Sequence, residues 1–336
     1  MPPAAAESVL ADLHRIGLIE DGDSPRCEQL PGGVSSDIWR VDLPSGPVCL
    51  KRALPMLKVA ADWQAPVERN AYEVAWFEVA AKLVPSAVPR VLGHDPASGF
   101  FVMQYLDPDA YPLWKTELAA GHADPAFAAL VGDRLGRIHA GTADSPELAH
   151  RFPTDAIFHS IRLEPYLEAT ARVHPDRAAA LEELVAVTAA TRHVLVHGDV
   201  SPKNILDGPA GPVFLDAECA WYGDPAFDVA FCLNHLLLKC LWVPSSAPAF
   251  LECFDSLRAA YAAHVDWEPP EDLERRTSRL LPGLLLARVD GKSPVEYLTE
   301  DNDRDTVRRV ARHLLAAPVD HLEQIRTVWS SELGAA

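Results

Sequence analysis

Basic residues are scarce in this chain, and their scarcity excludes several classes of partner. Its 336 residues include 30 lysines and arginines against 48 aspartates and glutamates, so the formal charge is -18 at pH 7. A chain of that charge is not expected to neutralise nucleic-acid phosphates or to lie on an anionic membrane. The acidity is compatible with a cationic ligand, and equally with high solubility alone.

Long apolar runs and paired cysteines are also missing. The stretches "RLLPGLLLAR" and "DVAFCLNHLLLKCLWV" are too short or too interrupted by polar residues to cross a bilayer. The six cysteines include no CxxC pair and most stand among apolar neighbours, which predicts reduced core residues. The opening "MPPAAAESVLADLH" has no basic stretch followed by an apolar run. We therefore expect a cytoplasmic protein without a membrane or nucleic-acid partner.

What the chain does contain is a change of hydrophobic period along its length. A helical pattern covers residues 5–17, and short strands are predicted at 27–30, 38–41 and 48–51. A helix follows Pro66, and two more strands surround the turn at Asp95 and Pro96. From residue 113 onward the pattern is mainly helical, and the clearest strand signals there are "HVLVHGD" and "GPVFLDAE". This organisation predicts an α+β chain with a small β-rich lobe before a larger helical lobe.

A polar cluster in "VLVHGDVSPKNIL", residues 194–206, carries the strongest chemical signal. His197, Asp199 and Asn204 have the H-x-D-x-x-x-x-N spacing of a kinase catalytic loop, in which the aspartate orients or accepts the proton of an acceptor hydroxyl. Asp216 ends the apolar strand of "VFLDAE", where a kinase places a metal-binding aspartate. Asn204 and Asp216 are predicted Mg²⁺ ligands, because hard cations prefer amide and carboxylate oxygens. Glu218, further along the same predicted strand face, is a candidate for a third oxygen, directly or through water.

Glycines in "PGGVSSDIWRV" predict a turn that covers the phosphates of a nucleotide. Glycine has no side chain in the way, so backbone N–H groups in such a turn can approach phosphate oxygens. The predicted phosphate contacts are the backbone around Gly32, Gly33, Ser35 and Ser36.

Two further elements appear in kinase order. Lys51, on a predicted strand, would neutralise the nucleotide phosphates, and Glu73, on the following helix, would hold its ammonium in place. In "FFVMQYL", main-chain groups of Gln104, Tyr105 and Leu106 are predicted to meet the base. The joint order of these elements predicts a kinase reaction with Mg²⁺ and either ATP or GTP.

The motifs also resemble a known family. "HGDVSPKNIL", with Gly198 where protein kinases carry arginine, and "FLDAECAWYGDPAFDVAF" resemble the aminoglycoside phosphotransferase and choline kinase superfamily of small-molecule kinases. "CLKRALPMLKVAADW" at 49–63, "ERNAYE" at 68–73 and "DAE" at 216–218 resemble its methylthioribose kinase branch. The resemblance covers roughly residues 25–290. It implies a bilobal, protein-kinase-like fold with a nucleotide-binding lobe at 1–106 and a catalytic and substrate-binding lobe at 107–336.

The same resemblance implies roles for residues outside the catalytic pair. His197 and Asp228 are expected to brace the catalytic loop. Lys203 stands where many relatives have glycine, so it either contacts the transferred phosphoryl group or faces solvent. The acceptor side is expected in the helical lobe, where the candidates are Asp224, Asn234, His235, Arg279, Arg288 and Asp290.

The motifs are compatible with more than one acceptor. Methylthioribose kinases carry an adjacent arginine pair in the carboxy-terminal half, whereas the corresponding stretch here has Arg279 and Arg288 apart, with the adjacent Arg275 and Arg276 just before it. The acceptor is expected to be a sugar-like or nucleoside-like molecule. The missing arginine pair favours an antibiotic inactivated by phosphorylation, or another hydroxyl compound, over the alternative of methylthioribose in methionine salvage. A pseudokinase that binds nucleotide without turnover is a further alternative. Protein-kinase activity is disfavoured because no DFG or APE segment follows Asp216. The chain is expected to be a monomer or a homodimer.

Overall fold

The two-lobe α+β architecture predicted from the sequence is confirmed in a computed structural model of the chain. The structure describes residues 3–31, 36–54 and 66–334. A five-stranded antiparallel sheet forms the first lobe, and the second lobe is mainly helical. Within the described residues, no helix is both long and apolar enough to span a membrane.

The first lobe consists of one sheet between two helices. The strands lie in the order β1-β2-β3-β5-β4, and every neighbouring pair is antiparallel. The bounds of these elements are α1 Pro3–Arg15, β1 Arg26–Gln29, β2 Ser36–Leu43, β3 Gly46–Ala53, α2 Arg69–Leu83, β4 Val91–Asp95 and β5 Phe100–Gln104.

Alternation along β3 decides which residues face which helix. Leu50 belongs to the small core that the sheet forms with Val9 and Leu13 of α1. Cys49 belongs to the main core, which includes much of α2, and Lys51 points to the same side. Successive strand residues point to opposite faces, so the Leu50-Lys51 pair places an apolar side chain under α1 and an ammonium beside α2.

Helices make up most of the second lobe. The longest, α11, passes beside α9, which is buried over nearly its whole length because apolar residues occur on all its faces. The helices are α3 Trp114–Ala119, α4 Pro125–Thr142, α5 Pro146–Arg151, α6 Asp155–Phe158, a π-helical segment His159–Glu168, α7 Ala169–Val173, α8 Ala178–Ala190, α9 Ala226–Trp242, α10 Ala247–Ala262, α11 Pro270–Asp290, α12 Asp301–Ala316 and α13 Leu322–Glu332.

Four short strands support the polar cluster, whereas the signals in "HVLVHGD" and "GPVFLDAE" predicted two. They are β6 Val194–Val196, β7 Ile205–Gly208, β8 Gly211–Phe214 and β9 Trp221–Gly223. β6 pairs with β9, and β7 pairs with β8. Because β8 ends at Phe214 and Asp216 has a left-handed φ of 65°, Glu218 lies in a loop and not on the predicted strand face.

The predicted lobe boundary at 106/107 falls in the segment between β5 and α3, and it stays a prediction. The main core is continuous across that segment, since it includes Phe77 of α2 and Met103 of β5 together with the helical lobe. The six cysteines are free, as expected, although Cys27 is only half-buried.

Candidate active site

The loop between β6 and β7 is held from below by Asp228, near the start of α9. The two carboxylate oxygens of Asp228 accept the backbone N–H groups of His197 at 2.7 Å and Gly198 at 2.8 Å. His197 is fully buried, and its Nε2 lies 3.1 Å from the carbonyl of Leu215 while Nδ1 accepts the N–H of Asp199 at 3.1 Å. Burial lowers the pKa of His197, so the ring is neutral and both nitrogens are used inside the loop. These are the contacts that bracing requires.

Gly198 occupies its position for a steric reason. Its φ is +81°, and a Cβ there would lie 2.5 Å from the carbonyl oxygen of Cys219. Its own carbonyl accepts a hydrogen bond from Nε of Arg162. A larger residue, such as the arginine of protein kinases, does not fit this backbone.

Asp199 has one engaged and one free oxygen. Oδ2 is 2.9 Å from the ammonium of Lys203 and 3.0 Å from the guanidinium of Arg162. Oδ1 is buried and has no hydrogen-bond partner within the described residues. Burial alone would raise the pKa of Asp199, but Lys203 and Arg162 hold it well below its ordinary value. The carboxylate is therefore ionised, with one oxygen available for a donor from a ligand.

Arg162 is a site residue that sequence analysis missed. It lies on the π-helical segment. Its guanidinium carbon is 5.8 Å from the ring centroid of Tyr166 and 5.9 Å from that of Phe231. π-Helical turns occur often at functional sites, because the extra residue redirects side chains. The local sequence "SIRLEPYL" gives no sign of this, since Arg162 is far from Asp199 along the chain.

Lys51 lies between two acidic side chains, of which the sequence predicted Glu73 as its partner. Its Nζ is 2.7 and 2.8 Å from the carboxylate oxygens of Glu73 and also contacts Oδ1 of Asp216. Burial would lower the pKa of Lys51, but Asp216, Glu73 and Glu218 raise it above its usual range. Burial raises the pKa of Glu73 to about 7, against the opposing effect of Lys51. The ammonium therefore joins β3, α2 and the loop after β8.

The predicted metal ligands are close to this lysine and to the catalytic loop. Asn204 donates its amide N–H to the carbonyl of Asp199 at 3.1 Å, which leaves the amide oxygen available. Lys51 and Lys203 hold the pKa of Asp216 below its ordinary value in spite of burial. Over the described ranges, no cluster of three or more His, Cys, Asp or Glu side chains could hold a metal. One amide and one carboxylate oxygen fit Mg²⁺ when nucleotide phosphates and water complete its shell.

Glu218, the third predicted oxygen ligand, is anchored by a residue that the sequence did not single out. Its Oε2 lies 2.9 Å from Nε of Arg69, the fully buried first residue of α2. Arg69 also donates to the carbonyls of Leu54 and Pro66, each at 2.8 Å. Glu218 is thus oriented by α2, as Lys51 is.

The predicted phosphate loop is only partly described. Gly32, Gly33 and Ser35 lie outside the described residues. Ser36 is the first residue of β2 and is buried, and its hydroxyl has no partner among the residues that the structure describes.

The predicted base-binding residues follow the end of β5. The N–H of Gln104 donates to the carbonyl of Arg90 at 2.8 Å, so this group is already engaged. Tyr105 lies under the guanidinium of Arg40, 4.7 Å from the ring centroid. The next residue, Leu106, completes the segment between the lobes, where a base contact stays a prediction.

Two of the predicted acceptor residues lie beside the catalytic loop. His235 of α9 and Arg288 of α11 line a cavity together with Lys203. Asn234, the neighbour of His235, is fully buried, and its amide points to the carbonyl of Phe231. The structure therefore groups His235 and Arg288 with Asp199 through Lys203.

Other predicted acceptor residues are not brought to this cluster. Asp224 is buried and accepts hydrogen bonds from Arg276 at 3.1 and 3.2 Å, and the exposed Arg279 pairs with Asp320 at 2.9 Å. Asp224 and Arg279 line a separate cavity, and its described lining contains none of the catalytic-loop residues. Arg279 and Arg288 are nine residues apart, which places them on opposite faces of a helix with 3.6 residues per turn.

Asp290 is also committed elsewhere. It accepts hydrogen bonds from Arg308 at 2.7 Å and lies 2.8 Å from Nε2 of His174.

The chain matches a known protein family. The phosphotransferase enzyme family matches residues 26–268, which include the described site residues of both lobes up to α9. The chain belongs to this family. Among its relatives is a methylthioribose kinase of Bacillus cereus, 24% identical in an alignment of 252 residues that covers 67% of this chain and 63% of that protein. A methylthioribose kinase of Pectobacterium carotovorum is 27% identical in an alignment of 228 residues that covers 59% of this chain and 55% of that protein. The chain spans less than two thirds of the length of both relatives.

Two solved structures share the fold. An amicoumacin kinase aligns with a TM-score of 0.57 at 12% identity, over 94% of this chain and 95% of its own. A macrolide 2'-phosphotransferase from Brachybacterium faecium aligns with a TM-score of 0.51 at 19% identity, over 98% and 99%. At these identities the likeness concerns the fold alone.

Proposed function

We propose that the chain is a Mg²⁺-dependent small-molecule O-phosphotransferase that moves the terminal phosphoryl group of ATP to a hydroxyl of a small acceptor. One observation carries the proposal: Asp199 is ionised, its Oδ2 is held by two cations, and its buried Oδ1 lacks a partner among the described residues. A buried oxygen of this kind is normally satisfied, and an acceptor hydroxyl would supply the donor.

The low pKa of Asp199 favours an orienting role at the start of the reaction. Such a carboxylate is a weak base, so it accepts a hydrogen bond from the hydroxyl without removing the proton early. Phosphoryl transfer is loose, and the bond to the leaving nucleotide is largely broken before the acceptor oxygen needs full charge. The acceptor oxygen forms the new P–O bond, the electron pair of the broken bond stays on the β-phosphate oxygen, and the hydroxyl proton passes to Asp199 late.

The remaining charged residues neutralise the nucleotide. Lys51, held by Glu73, would face its phosphates, and the backbone around Gly32, Gly33, Ser35 and Ser36 would cover them. Asn204 and Asp216 would hold Mg²⁺, with Glu218 as a ligand through water, and the bound ion would supply charge neutralisation on the phosphates. Gln104, Tyr105 and Leu106 would contact the base.

A coupled ADP-release assay with a panel of hydroxyl acceptors tests the proposal. Asp199→Asn should lower turnover by about 10²- to 10⁴-fold while ATP still binds. Asp216→Ala should lose Mg²⁺-dependent nucleotide binding, and GTP in place of ATP should show whether the donor is restricted. The exposed Asp320→Asn is the matched control and should behave as the wild type. Nucleotide binding without turnover on any acceptor would instead establish a pseudokinase.

Methylthioribose is the specific acceptor that the relatives favour, because two relatives named methylthioribose kinase match more than half of this chain. Similarity at 24–27% identity supports the reaction class more strongly than the acceptor. Methylthioribose therefore belongs in the assay panel as the first neutral sugar.

A further inference from the structure

The cavity beside the catalytic loop is cationic, although the chain as a whole is strongly acidic. Four basic side chains line it and come from four different elements: Lys115 of α3, Lys203 of the catalytic loop, Lys239 of α9 and Arg288 of α11. Among the described residues of its lining, Glu296 is the only acidic one.

Two of the four cations are compensated by neighbouring carboxylates, and two are not. Lys115 contacts Glu296, and Lys203 lies 2.9 Å from Asp199. In the described part of the chain, neither Lys239 nor Arg288 forms an ion pair. Since buried charges are ordinarily paired, these two leave the cavity short of negative charge.

Arg288 offers an open edge. Only its Nη1 makes hydrogen bonds with the described residues: to the hydroxyl of Tyr166 at 3.2 Å and to the backbone and hydroxyl oxygens of Ser293. Its Nε is buried and has no partner in the described ranges. The Nε side of a guanidinium is one of the forks that bind a carboxylate or phosphate group through two parallel bonds.

His235 and Lys239 lie one turn apart on α9, and each also has a polar group that its neighbours leave without a full complement of partners. Nδ1 of His235 lies 3.4 Å from the hydroxyl of Tyr297, whereas its buried Nε2 has no partner among the residues described. The ammonium of Lys239 is 3.8 Å from the ring centroid of Tyr297 and 4.0 Å from that of Trp242. Aromatic faces attract a cation but do not neutralise its charge.

We infer that this cavity binds an anionic group of the acceptor, a carboxylate or a phosphate, so that the enzyme phosphorylates small anionic hydroxyl compounds. The inference rests on the proposed phosphotransferase function. Lys203 connects the two halves of the site, because it lines the cavity and also contacts Asp199. Lys203 would therefore lie between the anionic group and the reacting hydroxyl. Cationic acceptors, such as choline or an aminoglycoside, would be repelled by Arg288, and also by Lys239 when that residue is protonated.

Anion binding should also depend on pH through Lys239. Burial, together with the charges of Lys115 and Arg288, lowers the pKa of Lys239 to about 7 against the opposing effect of Glu296. A bound anion would raise that pKa again, so affinity should be highest below about pH 7 and should fall as the pH rises above it. The groups that face this ammonium are Lys115 from α3, Arg288 from α11, Glu296 and Tyr297 from the following loop, and His235 and Trp242 from α9 itself.

The binding test uses inorganic phosphate as the probe, with the full chain saturated by Mg²⁺ and a non-hydrolysable ATP analogue to block the nucleotide site. Arg288→Met and Lys239→Met should each weaken phosphate binding by about tenfold or more, measured by calorimetry. Lys292→Met, an exposed lysine shortly after Arg288, is the matched control and should leave the affinity unchanged. Lys239→Met should also abolish the fall in affinity above pH 7. Equal affinity in all four proteins would overturn the inference.

The acceptor test compares glycerate and ribose 5-phosphate with glycerol and ribose, and with choline. The anionic compounds should have the higher kcat/KM, and Lys239→Met should reduce this preference mainly through KM. Lys239→Gln provides a second variant if the first does not fold. If the enzyme is active but its kcat/KM for neutral or cationic acceptors equals that for anionic ones, the anion-site inference is overturned and the proposed function stands. Phosphate binding at Arg288 and Lys239 without transfer to any acceptor upholds the anion site and contradicts the proposed function.

Discussion

At the scale of single residues, the charge of Asp199 depends on two cations, and one of them can be removed without touching the loop backbone. Lys203→Met should raise the pKa of Asp199, because it removes the largest of the effects that oppose burial and leaves Arg162 as the remaining ion pair of this carboxylate. A carboxylate with a depressed pKa stays ionised, and active, as pH falls to that pKa. The kcat/KM of the wild type should therefore hold at acid pH, whereas that of Lys203→Met should fall at a higher pH.

The conservative variant Lys203→Arg keeps a positive charge, so its kcat/KM should depend on acid pH as that of the wild type does. If the acid limb of Lys203→Met does not move, Lys203 is a solvent-facing lysine without influence on Asp199.

Residues were predictable from the sequence where one short stretch carries the whole pattern. Asp199 and Asn204 share one loop, and Lys51 meets Glu73 because a single helix follows the strand. Arg162 and Arg69 were missed because each acts on a partner in a distant segment. Their side chains reach the site only after the π-helical segment and α2 have packed, which no local spacing reveals.

At the scale of elements, Gly198 shows what the catalytic loop demands of its backbone. Gly198→Ala combines a left-handed φ with a clash at the carbonyl of Cys219, so it should cost about 1–3 kcal/mol in the free energy of unfolding and lower kcat. Gly22→Ala is the matched control, since Gly22 has a φ of +92° but no described atom within 4 Å of the point where a Cβ would lie. It should share the strain and keep full activity. Denaturant unfolding and kcat measurements would separate the two, and equal effects would contradict the steric argument.

Helix α2 connects the lobes through three different contacts. Glu73 binds Lys51 of the sheet, Arg69 binds Glu218 of the loop after β8, and the ring of Trp76 packs edge-on against His197 at 4.8 Å. The sequence after Pro66 predicted the helix, but it did not reveal that this one element sets the position of groups from both lobes. The pairing of β6 with β9 was not predicted either, because strands of three residues carry little periodicity.

At the scale of the whole molecule, net charge proved a poor guide to the site. The formal charge of -18 was compatible with a cationic ligand, yet the cavity beside Asp199 gathers basic residues from α3, the catalytic loop, α9 and α11. Composition averages over the surface, whereas the fold selects which few side chains share a cavity. The two lobes, by contrast, were predictable because each has its own hydrophobic period over many residues.

The continuity of the main core predicts how the molecule unfolds. Cys49 and Met103 of the sheet lobe share that core with the helical lobe, and the Lys51–Asp216 and Arg69–Glu218 ion pairs also cross between them. Tryptophan fluorescence and far-UV circular dichroism should therefore report one coincident unfolding transition. ATP with Mg²⁺ at 100 times its Kd should stabilise that whole transition by about 2.7 kcal/mol, and Asp216→Ala should lose this shift. Two separate transitions, of which only one responds to nucleotide, would show that the sheet lobe folds independently.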